Sequence, residues 1–201
     1  MHMSLIVIDD FLDNASAVRE AALKLTYPDL EGPFPGRNSL QRLNIDGLSD
    51  LVSDITGERL QPLDPPRSHA KLRISLAGDK GSGGVHIDPG YWSGILYLSR
   101  PEDCQGGTEF FRHVATGTER APLNEAELKA MGYDSYDRMR SEVVEKDGTD
   151  PGKWERVMTV PMRFNRLVLL RPWLWHTAGP GFGDSLENGR LIQVFFFQPA
   201  R

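Results

Sequence analysis

From Lys71 onward the chain is written in short runs of strand period, and that pattern restricts the fold more than any other feature. Residues Lys71 to Leu76 alternate Leu72, Ile74 and Leu76 with Lys71, Arg73 and Ser75, the period of a half-buried strand. Further runs at 85–87, 94–98, 108–111, 156–160, 166–170 and 191–197 read as strands, separated by turns of Gly, Pro, Asp and Asn. Many short strands with turn signals between them predict a β-sandwich or barrel.

Helices are expected on its flanks. Leu5 to Ile8 is a β-branched run, a short strand ending at Asp9-Asp10. Asn14 stands where a helix cap belongs, followed by Val18, Ala21, Ala22 and Leu25 on one apolar face, and Tyr27-Pro28 ends the pattern. A Pro- and Gly-rich loop over 28–38, a second helix over 48–57 and a proline-rich connector over 62–66 follow. Between His113 and Lys153 the composition turns polar and helical, with Asn124 capping 125–131 and a second run over 136–146. That stretch is an insertion between two core strands. The 201 residues are thus predicted as one domain: mainly β with flanking helices, an N-terminal helical support at 1–66, core at 70–112 and 154–198, and insertion at 113–153.

Composition excludes several classes. A net charge of −5 argues against a nucleic-acid partner, which calls for a basic face. Arg163 and Arg166 alternate with apolar residues and read as strand surface or a local anion site. One cysteine, Cys104, allows neither an intrachain disulfide nor a cysteine zinc site, and fits a reducing cytoplasm. No apolar run approaches membrane-span length, and Met1-His2-Met3 lacks the charged and apolar parts of a signal peptide. A cytoplasmic monomer or homodimer acting on a small-molecule or peptide substrate is the expectation.

The stretch that carries chemistry is Val85-His86-Ile87-Asp88-Pro89-Gly90. Residues two apart on a strand share a side, so His86 and Asp88 can reach one ion. An imidazole and a carboxylate suit ferrous iron, and a second histidine would complete a two-histidine, one-carboxylate face with positions left open. The same trio suits zinc with a water in the fourth position, so spacing alone does not name the metal. His176, at a strand end before a Gly-Pro-Gly turn, is the choice for the third ligand; His113, at the start of the insertion, is the alternative.

The order of the surrounding segments is more specific than the pair. After the strand and Gly-rich turn ahead of His86 come Tyr97-Leu98-Ser99, Gly106-Gly107-Thr108, the distal His176 and then Gly189-Arg190 leading into an apolar strand. This order resembles the prolyl-4-hydroxylase-like branch of the Fe(II)/2-oxoglutarate oxygenases, over roughly residues 70–198. The resemblance implies a double-stranded β-helix (jelly roll, cupin-like) core and Fe(II) on His86, Asp88 and His176. It also implies 2-oxoglutarate and O2 as co-substrates, and release of succinate and CO2. Arg190 is then the grip for the distal carboxylate of 2-oxoglutarate, since a guanidinium binds a carboxylate bidentately; Arg166 is the weaker alternative. Tyr97 and Thr108 are candidate contacts to the same co-substrate. Two positions depart from the family pattern. Ile192 stands where many relatives have Ser or Thr, and Ser75 or Arg73 where some have Tyr. Halogenating relatives carry a small residue in place of the carboxylate, so Asp88 points to hydroxylation.

Tyr91 and Trp92 follow the motif directly, Trp173 and Trp175 flank His176, and the Pro35–Ser39 loop with Arg37 is polar at its tip. Tyr91, Trp92, Trp175 and Arg37 are the candidate substrate contacts. Asn165 is read as a turn residue and Phe195 to Phe197 as core. The rival readings are a cupin-like metal-dependent isomerase or hydrolase, for which Arg190 would be dispensable, and a non-catalytic ligand-binding barrel.

Overall fold

A computed structural model describes residues 3–29, 32, 34–81 and 83–200. Parts of two predicted loops, at Leu30, Glu31, Pro33 and Ser82, lie outside the described residues, as does the leading Met1-His2.

Two antiparallel sheets form the core. The strands of the larger are β1 (Leu5–Ile8), β2 (Arg37–Arg42), β3 (Leu60–Pro62), β4 (Lys71–Ser75), β5 (Trp92–Tyr97), β8 (Leu167–Leu170) and β10 (Arg190–Pro199), in the order β1-β8-β5-β10-β4-β2 with β3 also on β10. The smaller contains β6 (Gly107–His113), β7 (Trp154–Pro161) and β9 (His176–Thr177), in the order β7-β6-β9. Helix α1 (Ala15–Leu23) follows β1, and helix α2 (Leu48–Thr56) lies between β2 and β3.

Alternation along the larger sheet assigns its two faces. Leu72, Ile74, Leu96, Leu167, Leu169, Leu191, Phe195 and Phe197 form one apolar cluster with Ala22 of α1 and Val52 of α2. Each fully buried Leu there contributes roughly 1.5–3 kcal/mol by leaving water. The opposite face carries Ile95, Tyr97, Val168, Leu170 and Ile192, which pack with Phe110 and Val160 of the smaller sheet and with Met162 just after β7. The functional space lies between the sheets, and the helices cover the outside.

The N-terminal segment is less helical than its sequence suggests. Besides the expected β1 it adds β2 and β3 to the larger sheet, and the short polar run of β2 (RNSLQR) carries no strand alternation that a sequence reading could use. Asn165, at φ 60°, ties this segment down: its side chain accepts from the Leu12 amide and donates to the Leu12 carbonyl, both at 2.9 Å.

The insertion holds α3 (Glu125–Ala130), capped by the Asn124 side chain, and α4 (Tyr136–Met139), which runs on into a π-helical turn over Arg140–Lys146. It packs through Leu128, Met139 and Val143 against Val85, Trp154 and Trp175, so it buttresses the segment that leads into His86.

Candidate metal centre

The His86 segment is shorter as a strand than expected: it forms a single antiparallel bridge with His176. The His86 amide donates to the His176 carbonyl at 2.9 Å and the His176 amide to the His86 carbonyl at 3.1 Å. Two residues on, the Asp88 amide donates to the Pro172 carbonyl at 2.9 Å, so 86–88 runs alongside 172–176. Val85 is held from the other side, its amide donating to the Gly148 carbonyl of the insertion at 2.8 Å. Gly84 is required here, because a Cβ on it would lie 2.0 Å from the Gly148 oxygen.

That backbone brings one potential ligand atom each from His86, Asp88 and His176 within 4.8 Å of one another. Asp88 Oδ1 lies 3.7 Å from His86 Nε2, and Asp88 Oδ2 lies 3.3 Å from His176 Nε2. Both imidazoles use Nδ1 on a backbone carbonyl, His86 on Gly84 at 2.9 Å and His176 on Leu174 at 2.8 Å. A carbonyl only accepts, so Nδ1 carries a hydrogen, and Nε2 is the atom that offers a lone pair to the centre when each ring is neutral. Burial, reinforced by His176 nearby, pushes the His86 imidazole down to about 4, which keeps it neutral. Burial alone would raise the Asp88 carboxyl, but the charge and hydrogen bond of His176 outweigh it and hold Asp88 down to about 2. Burial likewise pulls His176 down, and Asp88 more than reverses it, so His176 is raised. A divalent metal needs neutral imidazoles and an ionised carboxylate, so His86 and Asp88 stand ready and His176 gives up the proton that Asp88 favours.

The trio faces a cavity of about 400 Å³ between the sheets. Ile95, Ile192, Val194 and Phe196 give it an apolar wall, and Arg67, Arg73, Ser75 and Asn38 a polar one. The 34–38 loop closes over it: the Phe34 ring lies 4.2 Å from the His86 ring. Arg73 anchors that loop, donating to the Pro35 carbonyl at 3.1 Å, to Asn38 Oδ1 at 2.9 Å and to the Phe34 carbonyl.

Arg190 is buried at one end of this face, where it pairs with Ser75 across β4. Among the described residues, its Nε and Nη2 have no hydrogen-bond partner. Burial lowers its pKa, and Tyr97, the next group acting on it, pulls the other way. The Tyr97 hydroxyl lies 2.6 Å from Thr108 Oγ1 and accepts from the Thr108 amide at 3.0 Å. A buried guanidinium with orphaned donors costs stability unless an anion occupies the site, so Arg190 fits a carboxylate-bearing ligand.

The remaining sequence candidates lie elsewhere. His113 is buried against Asp147, Nε2 to Oδ2 3.1 Å, away from the trio. Arg166 pairs with Asp9 at 2.6 Å. Trp92 packs in the outer core and donates to Glu58 at 2.5 Å, while Tyr91 meets Trp173 edge to face and lies under Arg171. Trp175 is buried against the insertion and donates to Thr118 at 3.2 Å. Arg37 pairs with Asp29 at 3.1 Å. None of Tyr91, Trp92, Trp175 and Arg37 lines the cavity of the trio. Residues that do line it and that sequence reasoning did not mark as contacts include Phe34, Asn38, Arg67 and Thr177. Position next to His176 was the available signal for Thr177; Arg67 had none.

A profile of a family of unknown function (DUF6445) matches residues 1–197. No curated protein matches the sequence. Among solved structures, this one is similar to HygX from Streptomyces hygroscopicus with nickel, 2-oxoglutarate and hygromycin B bound. The alignment covers 98% of this chain and 83% of HygX, at 17% identity and a TM-score of 0.51. It is also similar to the non-heme alpha ketoglutarate dependent carbocyclase SnoK from nogalamycin biosynthesis, over 98% of this chain and 80% of SnoK, at 13% identity and a TM-score of 0.54. At these identities the likeness establishes the fold: this chain has the jelly-roll fold found in Fe(II)/2-oxoglutarate-dependent oxygenases.

Proposed function

This chain belongs to DUF6445, a family of unknown function, and we propose that it is an Fe(II)- and 2-oxoglutarate-dependent oxygenase that hydroxylates a C–H bond of an amino acid, peptidyl residue or small metabolite. The observation that carries this reading is Arg190, buried with two orphaned donors among the described residues, next to Ser75 and Ile192 of the cavity that the metal trio faces. A metal-dependent isomerase or hydrolase that acts on a neutral substrate without 2-oxoglutarate would leave Arg190 dispensable. HygX holds nickel and 2-oxoglutarate in its solved structure, which supports the same reading.

His86, Asp88 and His176 would hold the iron, and Arg190 the distal carboxylate of 2-oxoglutarate. When bound, iron and 2-oxoglutarate supply the oxidation, coupling decarboxylation of the co-substrate to transfer of an oxygen atom from O2. The protein's own work is orientation and exclusion of water. Hydrogen bonds to Gly84 and Leu174 fix both imidazoles with Nε2 available. Asp88, already ionised, contributes a negative charge to the centre without a proton to lose. Tyr97 and Thr108, locked to each other beside Arg190, keep the anion end of the site from collapsing. Ile95, Ile192, Val194 and Phe196 exclude water from the reacting face.

Calorimetric titration of the Ni(II)-loaded protein with 2-oxoglutarate tests the reading. Saturable binding that needs the metal and weakens in Arg190→Met is expected. Binding that ignores either would overturn it.

A further inference from the structure

Two of the arginines, Arg67 and Arg73, line the cavity, and Arg190 adjoins it through Ser75 and Ile192. Among the described residues, Asp88 is the one acidic group on that lining. A divalent ion, Asp88 and three guanidinium groups, set against the two carboxylates of 2-oxoglutarate, leave an excess of positive charge. A low-dielectric cavity concentrates such an excess and draws an anion.

The arginines do different things. Arg190 is at the deep end of β10. Arg73 spends its donors on the 34–38 loop. Arg67 is exposed and, among the described residues, has no ion-pair or hydrogen-bond partner for its side chain. Its backbone, in contrast, is fixed. Arg67 sits at φ 42°, a conformation that a non-glycine residue adopts only at a cost. Arg42 Nη2 donates to the Arg67 carbonyl at 2.5 Å, and the His69 amide donates to the Pro66 carbonyl at 2.7 Å. The turn is tied to the far end of β10, with His69 Nδ1 2.8 Å from the Phe196 carbonyl and the Ala70 amide donating to Val194 at 2.8 Å. From Arg190 to Phe196 a strand covers roughly 20 Å, so Arg67 and Arg190 serve opposite ends of the cavity. The trio shares the Arg67 end: Gly90, just after Asp88, is pressed so close to Phe197 that a Cβ would lie 2.8 Å from its oxygen.

From this arrangement we propose that the substrate is a small carboxylic acid with an apolar chain, whose carboxylate docks on Arg67 at the mouth while its carbon skeleton lies along Phe34, Val194 and Phe196. The inference rests on the oxygenase reading, which gives Arg190 to the co-substrate and leaves Arg67 for the substrate. Asn38 assists: its Oδ1 is occupied by Arg73, which leaves Nδ2 as a second donor beside the same space.

The test uses full-length protein loaded with Ni(II) and 2-oxoglutarate. Hydrophobic amino acids, free and N-acetylated, are titrated beside their carboxamides, with binding read by saturation-transfer NMR. The acids should bind about 10-fold or more tighter than the matching amides, the range of a charge-assisted hydrogen bond. Arg67→Gln should bring acid and amide within about 2-fold, with 2-oxoglutarate affinity unchanged, and Arg67→Lys should restore part of the preference. Acids that bind no better than amides, or a preference that survives Arg67→Gln, would overturn the assignment. Failure of the wild-type protein to bind 2-oxoglutarate would be a separate result, and would remove the oxygenase reading together with it.

Discussion

His86 and His176 hold one another through two backbone hydrogen bonds, 2.9 and 3.1 Å, so the two imidazoles are set by main chain before any ion arrives. Their rings lie 4.6 Å apart, and Asp88 bridges toward both Nε2 atoms. The trio is therefore pre-organised, and a ligand change should cost metal more than fold.

His176→Ala is expected to abolish Ni(II) or Fe(II) binding while the apo protein still melts cooperatively. His113→Ala, which breaks the buried contact with Asp147, should lower the melting temperature and leave the metal stoichiometry intact. Metal analysis by mass spectrometry with a thermal melt checks both. The reverse outcome would make His113 the ligand.

Arg190→Met should weaken 2-oxoglutarate by about 10- to 100-fold, since a hydrogen-bonded charged pair is worth roughly 1.5–3 kcal/mol. It should also raise the stability of the ligand-free protein, because it removes the orphaned Nε and Nη2 from a buried site. Calorimetry and urea unfolding read the two effects separately. A destabilised Arg190→Met protein would mean that the guanidinium has a structural partner.

Gly148→Ala tests the insertion. A Cβ there would lie 2.2 Å from the Val144 carbonyl and 2.9 Å from the Val85 carbonyl, so the π-helical turn and the segment before His86 must separate. Metal affinity should fall although no ligand is touched. An unchanged affinity in a folded variant would show that the insertion does not position the site.

The metal-free protein should be most stable near pH 6.5 as far as its histidines decide. His176 is raised above 6.5 in the fold, so as pH falls toward 6.5 the native state gains a proton that the unfolded chain does not, and stability rises. His86 is lowered to about 4 and His69 is also lowered, both chiefly by burial. Below 6.5 the unfolded chain takes up their protons first, and stability is lost. Urea midpoints in chelator at about pH 8, 6.5 and 5 should show the maximum, and His176→Gln should erase its alkaline side. A monotonic profile in the wild type would contradict the assignment of these shifts.

Much of the fold was legible because strand period and turn residues are local signals. The run at 191–197 falls within β10, the run at 94–98 overlaps β5 as far as Tyr97, and the Asn124 cap starts α3 as its residue type predicts. The trio was legible because its three residues, which the fold brings together, keep a recognisable order. The cavity wall was not. On β4 the polar set Arg73 and Ser75 reads as a solvent face, yet it faces the cavity, while Leu72 and Ile74 pack outward under the helices. Sequence alternation separates two faces without saying which is inside. Aromatic neighbours of the motif misled for the same reason: Trp92 and Trp175 point into the outer core and the insertion core. Arg67 sits in a loop whose place is set by Arg42 and His69, contacts that no local pattern encodes.

Succinate formation is the most direct test of the central claim. Purified protein with Fe(II), ascorbate and 2-oxoglutarate under air should release succinate in an iron-dependent way, faster when a carboxylic-acid substrate is present, and His176→Ala should release none. No succinate from wild-type protein that demonstrably holds iron and 2-oxoglutarate, or equal release from His176→Ala, would contradict the account.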